Sequence, residues 1–152
     1  MRFWRKIRRR RRGTAAIEFA IACPVMLVFF GGVVDYGLAT LDRSMLANAV
    51  AQGAYYAFMV GTGVSNTNIQ NLIQNSAGLT NVHATASAPS CYCITGSPLA
   101  LAAATCGSTC ADTTTAGYYV TISATYTYTS ILPVYSHLNN PMLSESAIVR
   151  LK

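Results

Sequence analysis

The 152-residue chain joins a strongly basic amino terminus to an almost uncharged body. Eight of its 11 Lys and Arg residues lie within positions 1–12, whereas residues 14–152 carry three cations against five acids. Because nucleic-acid-binding domains spread cations over a folded face to neutralise phosphates, this distribution argues against a nucleic-acid partner. Charged residues make up only 11% of the chain and hydrophobic residues 52%. These proportions predict one modest domain that is anchored in a membrane or embedded in an assembly.

An uncharged apolar stretch at residues 19–34 follows the basic run. A helix over residues 14–36 spans roughly 34 Å at about 1.5 Å per residue, enough to cross the hydrocarbon core of a membrane. The cations before it predict a cytoplasmic amino terminus, with the rest of the chain outside the inner membrane. Pro24 bends such a helix without excluding it, since membrane helices tolerate proline.

Three export signals compete with a permanent anchor. A secretory signal peptide ends at small residues of Ala-x-Ala type, but this apolar run is followed by Asp35-Tyr36-Gly37. A lipoprotein signal places its cysteine after the apolar core, whereas most of the apolar run follows Cys23. A twin-arginine signal has only the arginine run in its favour, and such runs are common before simple anchors. We therefore expect an anchor that stays in the membrane.

Glu18 lies within the predicted membrane span, directly before the uncharged stretch. Ionisable groups inside a membrane are costly, so such a residue is a candidate for function. The alternative is that Glu18 lies close enough to the cytoplasmic interface for its carboxylate to reach water.

Residues 12–20 read Arg-Gly-Thr-Ala-Ala-Ile-Glu-Phe-Ala, and Pro24 and two glycines precede the Asp-Tyr-Gly exit. This pattern resembles the TadE-like pseudopilins, or minor pilins, of tight-adherence (Flp) pili, over about the first 40 residues. The resemblance implies that a prepilin peptidase cuts between Gly13 and Thr14, with Glu18 and Phe19 completing the cleavage and assembly motif. It also implies that Glu18 pairs with a new amino terminus, its own or a neighbour's, because a carboxylate in a low-dielectric medium needs a cation.

The resemblance also implies an organisation and partners. The chain would comprise a leader (1–13), a transmembrane helix (14–36) and an extracytoplasmic pilin-like domain (37–152), in the bacterial inner membrane. Its role would be the assembly or initiation of Tad/Flp type IV pili, and hence surface attachment. Its partners would be the prepilin peptidase, other minor pilins, the major Flp pilin and the inner-membrane assembly platform. TadF and TadG relatives share these features, so the subtype stays open. The alternative is an uncleaved, membrane-anchored periplasmic binding or adhesion module.

Beyond the span the pattern predicts an α+β fold, with the helix packed on an antiparallel sheet of three or four strands. The helix is expected to end at Gly61-Thr62-Gly63, and its apolar stripe to face the domain's own sheet or another subunit. The stripe comprises Leu38, Leu41, Met45, Ala49, Gly53, Tyr56 and Val60. A second helix is predicted at residues 67–76, and strands at 82–88, 118–129 and 145–151. The tyrosines of the middle strand, Tyr118, Tyr126 and Tyr128, are expected on a half-buried core face.

Four cysteines lie in a region rich in small residues, as Cys91-x-Cys93 and Cys106-x3-Cys110. In an oxidising compartment they predict two disulfides, with three possible pairings. Pairs that cross between the couples are favoured, because a Cys91–Cys93 bridge encloses too little chain. A metal site helped by His83 is the alternative, although zinc sites tend to have two-residue gaps. A thiol oxidoreductase would have Cys-x-x-Cys, which the sequence lacks.

Groups that could perform catalysis are few and far apart. The body has five acids and two histidines, and the sequence contains no phosphate-binding loop, His-Glu-x-x-His or Gly-x-Ser-x-Gly motif. We therefore expect a protein that is not an enzyme and that holds no cofactor or metal.

Overall fold

The computed structural model describes residues 3–96, 100–131 and 142–151, with side chains from residue 14 onward. Its elements are α1 (Phe3–Val60), a 3-10 turn (Gly61–Gly63), α2 (Asn66–Ser76), β1 (His83–Ala86), β2 (Ser90–Thr95), β3 (Ala100–Ala103), β4 (Gly117–Thr127) and β5 (Met142–Arg150). The predicted α+β class, a long apolar helix plus a small antiparallel sheet, is confirmed.

The chain divides into two compact units. One holds α1 up to Leu38 with Ser130 and Ile131, and the other holds residues 39–129 and 142–151.

α1 is one continuous helix that begins earlier than the predicted span. It starts at Phe3 rather than at Thr14, because arginine is a good helix former and the basic run contains no helix breaker. Gly13 therefore lies inside the helix, as does Pro24. The helix ends at Val60, at the predicted glycine triplet, where Gly61 has the left-handed φ of 77° that glycine adopts without steric cost.

The core of the second unit lies where α1 and α2 pack against the inner face of β4. Its central side chains are buried apolar residues from all three elements: Leu46, Ala49, Val50, Ala57, Ile69, Ile73, Val120, Ile122 and Ala124. α2 supplies its two isoleucines fully buried, as its predicted apolar face requires. Gly78, with φ of 65°, follows the helix and ends it where expected.

The buried face of α1 is rotated from the predicted stripe. Leu41 is 50% exposed and Val60 47% exposed, so neither residue packs on the domain's own sheet, and the same holds for the exposed Met45, whereas Ala49 of the stripe is fully buried. The closest approach of α2 explains the rotation, since a Cβ on Gly53 would lie 2.7 Å from Cγ1 of Ile73. The residues that share a helix face with Gly53 are buried together with it: Leu46, Val50 and Ala57.

The sheet has five strands, all paired antiparallel, around a central β4. β5 pairs along one side of β4, from Tyr119 with Arg150 to Thr127 with Met142. β1 and β2 share the other side of β4, and β3 pairs with β2. Neither β2 nor β3 was predicted. The Cys91–Cys93 couple was expected between strands but lies on β2, and the β3 sequence Ala-Leu-Ala-Ala has no polar–apolar alternation.

The tyrosines of β4, with Tyr128 directly after the strand, follow the prediction at one end only. Tyr128 is buried and Tyr126 half-buried, but Tyr118 is exposed and its neighbour Tyr119 is buried instead. The pairing with β2 places Tyr92 on the same face of the sheet as Tyr119. The two rings contact each other edge to face, with centroids 6.5 Å apart, so each shields the other from water.

Candidate assembly helix

By length and composition, the described residues contain one helix, Thr14–Gly63, that can cross a membrane. Its large apolar side chains between residues 17 and 34 are exposed on every face of the helix. A helix that is hydrophobic all round requires an apolar environment on all sides, from lipid or from other protein. Because none of the apolar window is buried within the chain, that environment must come from outside it.

The residues predicted for processing and assembly lie together near the start of this segment. Residues 13–19 form about two consecutive turns of α1, and these turns contain Gly13, Thr14, Glu18 and Phe19. The side chains of Glu18 and Phe19 are exposed. Thr14 and Glu18 are four residues apart, so they share one face of the helix, one turn from each other. An amino terminus at Thr14 would therefore start one turn below the Glu18 carboxylate.

Asp35 is a site that sequence reasoning marked only as the end of the apolar run. It is 9% exposed. Its Oδ2 accepts a hydrogen bond from the Ser130 hydroxyl at 2.6 Å, and its Oδ1 accepts one from the backbone amide of Ile131 at 3.0 Å. Two such donors offset much of the cost of removing a carboxylate from water. The sequence signal for this site was an acid at the end of an apolar run. Nothing in the sequence indicated its hydrogen-bond donors, which lie 95 and 96 residues further along the chain.

In the second unit, polar side chains of α1 contact the sheet. Nε of Arg43 donates to Oε1 of Glu145 on β5 at 2.6 Å, and Tyr126 of β4 donates to Asp42. Burial, followed by the negative charge and the hydrogen bond of Asp42, raises the pKa of Tyr126 above its usual range. The Arg43 side chain is largely exposed, so its ion pair contributes little, about 0–1 kcal/mol.

An open groove of about 680 Å³ lies between α1 and α2. It is lined by uncharged residues, among them Asn48, Gln52, Tyr55, Tyr56, Met59 and Leu72. Within the ranges that the structure describes, no group of three or more His, Cys, Asp or Glu residues could hold a metal ion. The groove lining therefore offers aromatic, aliphatic and amide side chains rather than a cluster of carboxylates, imidazoles or thiols.

Two disulfides join the cysteine couples. Cys91 pairs with Cys106 and Cys93 with Cys110, at Cα–Cα distances of 5.1 and 5.6 Å, and both bridges cross between the couples as the sequence favoured. They tie β2 to the connection between β3 and β4, which has few apolar residues to hold it in place. Cys23, on the apolar part of α1, is a free thiol.

Removal of one bridge is expected to destabilise the second unit substantially. The double replacement of Cys91 and Cys106 by serine should lower the free energy of unfolding by about 3 kcal/mol, because it frees a loop of some 15 residues in the unfolded chain. Denaturant unfolding in detergent, followed by tyrosine fluorescence, measures the change. Cys23→Ser is the control and should leave the free energy of unfolding within about 0.5 kcal/mol of that of the unmodified chain. Equal midpoints for both variants would contradict a stabilising role.

The fold and these contacts define an α+β protein whose amino-terminal helix can span a membrane. Residues 13–54 match the family model described as TadE-like protein. This match confirms the resemblance for residues 13–54, which are similar to the TadE-like family. The match begins at Gly13, includes Thr14, Glu18 and Phe19, and runs into the part of α1 that packs on the sheet. Neither the curated proteins nor the solved structures contain a significant match to the chain.

Proposed function

We propose that this protein is a minor pilin, or pseudopilin, that takes part in assembling or initiating Tad pili. The observation that carries the proposal is the overlap of the TadE-like segment with an apolar helix that its own chain leaves uncovered between residues 17 and 34. Such a helix can lie in lipid before assembly and pack against the helices of other pilins afterwards. The folded second unit is then the part carried by the helix.

Processing by a prepilin peptidase between Gly13 and Thr14 is the second element of the proposal. The cut removes the basic leader and leaves a chain of residues 14–152 with three cations and five acids. Since Gly13 lies inside α1, the peptidase must unwind the helix locally to reach the bond. Glycine is the weakest helix former after proline, by about 1 kcal/mol relative to alanine, so unwinding costs least at this position.

The proposed location is the bacterial inner membrane, with the basic terminus in the cytoplasm and residues 37–152 on the periplasmic side. The eight amino-terminal cations support this orientation, and two disulfides suit an oxidising compartment. The proposed partners are the prepilin peptidase, other minor pilins, the major Flp pilin and the assembly platform. The role is structural, without enzymatic activity or a cofactor.

Intact mass of the membrane-extracted protein tests this proposal. In cells with a Tad system, the mature protein should begin at Thr14, and deletion of the prepilin peptidase should restore the form that begins at Met1. Gly13→Val should also block the cut. Gly37→Val is the matched control, because nothing lies within 4 Å of a Cβ at this position on the same helix, and it should be processed normally. A mature protein that keeps Met1 in peptidase-positive cells would favour the uncleaved binding or adhesion module instead.

A further inference from the structure

Two carboxylates bracket the apolar stretch of α1. Glu18 and Asp35 are 17 residues apart, with no charged residue between them. Their separation along the helix is roughly 26 Å at about 1.5 Å per residue, close to the thickness of a hydrocarbon core. Tyr36, next to Asp35, is largely exposed, as is typical of the aromatic residues that mark a membrane–water boundary. In a membrane crossed by α1, Asp35 therefore lies at the outer boundary.

The hydrogen bonds of Asp35 hold a second stretch of chain, Ser130 and Ile131, at this boundary. The Ser130 hydroxyl and the Ile131 amide both donate to its carboxylate, at 2.6 and 3.0 Å. A carboxylate at the edge of the hydrocarbon region is costly without donors, so these bonds are favoured over separation of the two segments. The connection that follows β4 consequently starts at the same depth as Asp35.

The side chain available at this point is apolar. Ile131 is 66% exposed, although its amide is held by the carboxylate. The surrounding sequence contains no Asp, Glu, Lys or Arg between Asp112 and Glu145, so no charge opposes contact with lipid. We propose that Ser130 and Ile131 form a second membrane contact, in which Asp35 positions the segment and the Ile131 side chain enters the outer lipid interface. This inference rests on the membrane span of α1 and is independent of the pilin role.

Tryptophan fluorescence in lipid vesicles tests the contact. The only tryptophan, Trp4, is replaced by phenylalanine in the full chain, and single tryptophans are introduced by Ile131→Trp, Leu27→Trp and Ile148→Trp. The vesicles contain phosphatidylcholine brominated either near the headgroup or near the chain end. Ile131→Trp should lose roughly half its emission to the shallow bromines, the depth of an interfacial side chain. Leu27→Trp, in mid-span, should be quenched by the deep ones.

Ile148→Trp is the matched control, because Ile148 is also an exposed isoleucine but lies on β5. It pairs with Thr121 of β4, which precedes Ile131 by ten residues. It should show no quenching by either lipid. An unquenched Ile131→Trp beside a quenched Leu27→Trp would overturn the inference while leaving the span intact. An unquenched Leu27→Trp would overturn both. Neither result depends on leader cleavage or pilus formation.

The positioning role of Asp35 has its own readout. Asp35→Leu, combined with Ile131→Trp, should reduce shallow quenching to the level of Ile148→Trp, whereas Leu27→Trp should keep its deep quenching in the same background. Both disulfides, checked by thiol titration, should remain formed and so show that the second unit is folded. Unchanged quenching of Ile131→Trp in the Asp35→Leu chain would show that Asp35 does not position this segment.

Discussion

Replacement of Leu46 by alanine is expected to lower the free energy of unfolding by about 3 kcal/mol. Leu46 is fully buried in the core formed by α1, α2 and β4. α1 already lies as close to α2 at Gly53 as the side chain of Ile73 allows, so the helix has little freedom to shift and fill the space that the lost side chain leaves. The loss of stability is therefore the sum of two terms: the burial free energy of the removed methyl and methylene groups and the cost of the cavity that remains.

Leu41→Ala is the control for this prediction, with the same side chain on the same helix but half exposed. It should change the free energy of unfolding by no more than about 0.5 kcal/mol. Denaturant unfolding in detergent should be followed by tyrosine fluorescence, because the helical signal from the span persists in micelles, whereas every tyrosine lies beyond the apolar stretch at residues 19–34. A larger loss from Leu41→Ala than from Leu46→Ala would mean that the stripe through Leu41, rather than the face through Leu46, packs on the sheet.

Glu18→Ala is expected to reduce the number of assembled pili by about tenfold or more while leaving leader removal largely intact. Once the cut exposes an amine at Thr14, the carboxylate one turn away or on a neighbouring chain offers it a partner in a low-dielectric setting. Removal of one member of a buried ion pair typically costs about 3–5 kcal/mol, because the other charge is left unpaired. Electron microscopy counts of pili, together with the intact mass of the mature protein, measure both effects.

Glu145→Ala is the matched control for Glu18→Ala, since it also removes one carboxylate. Glu145 pairs with the exposed Arg43 on the folded unit, where an ion pair contributes little. Pilus number should therefore stay near that of the unmodified protein. Normal pili from Glu18→Ala would support the alternative that this carboxylate only reaches water at the cytoplasmic interface. Loss of cleavage together with pili would instead place its role in processing.

Features with a local physical cause could be predicted from the sequence. The apolar segment, α2 and strands β4 and β5 each have their own periodicity over a few turns or residues, so the pattern indicates the element. The glycines at positions 61 and 78 end their helices because a left-handed backbone costs glycine nothing. The crossing of the disulfides followed from the short chain between Cys91 and Cys93.

Features that depend on distant parts of the chain could not be predicted. Leu41 and Leu46 are both leucines in one helix, and only the approach of α2 at Gly53 decides which of them is covered. β3 has no pattern of its own and forms because β2 offers it a free edge.

The amino-acid sequence by itself determined the basic terminus, the apolar helix and the α+β class. These follow from composition, periodicity and local spacing, which act within a few turns of chain. The motif from Gly13 to Phe19 was identified by its resemblance to the TadE-like proteins. The tertiary structure alone decided which face of α1 is buried and which groups satisfy Asp35. The donors to that carboxylate lie 95 and 96 residues further along the chain, and only the tertiary fold brings them within hydrogen-bonding distance.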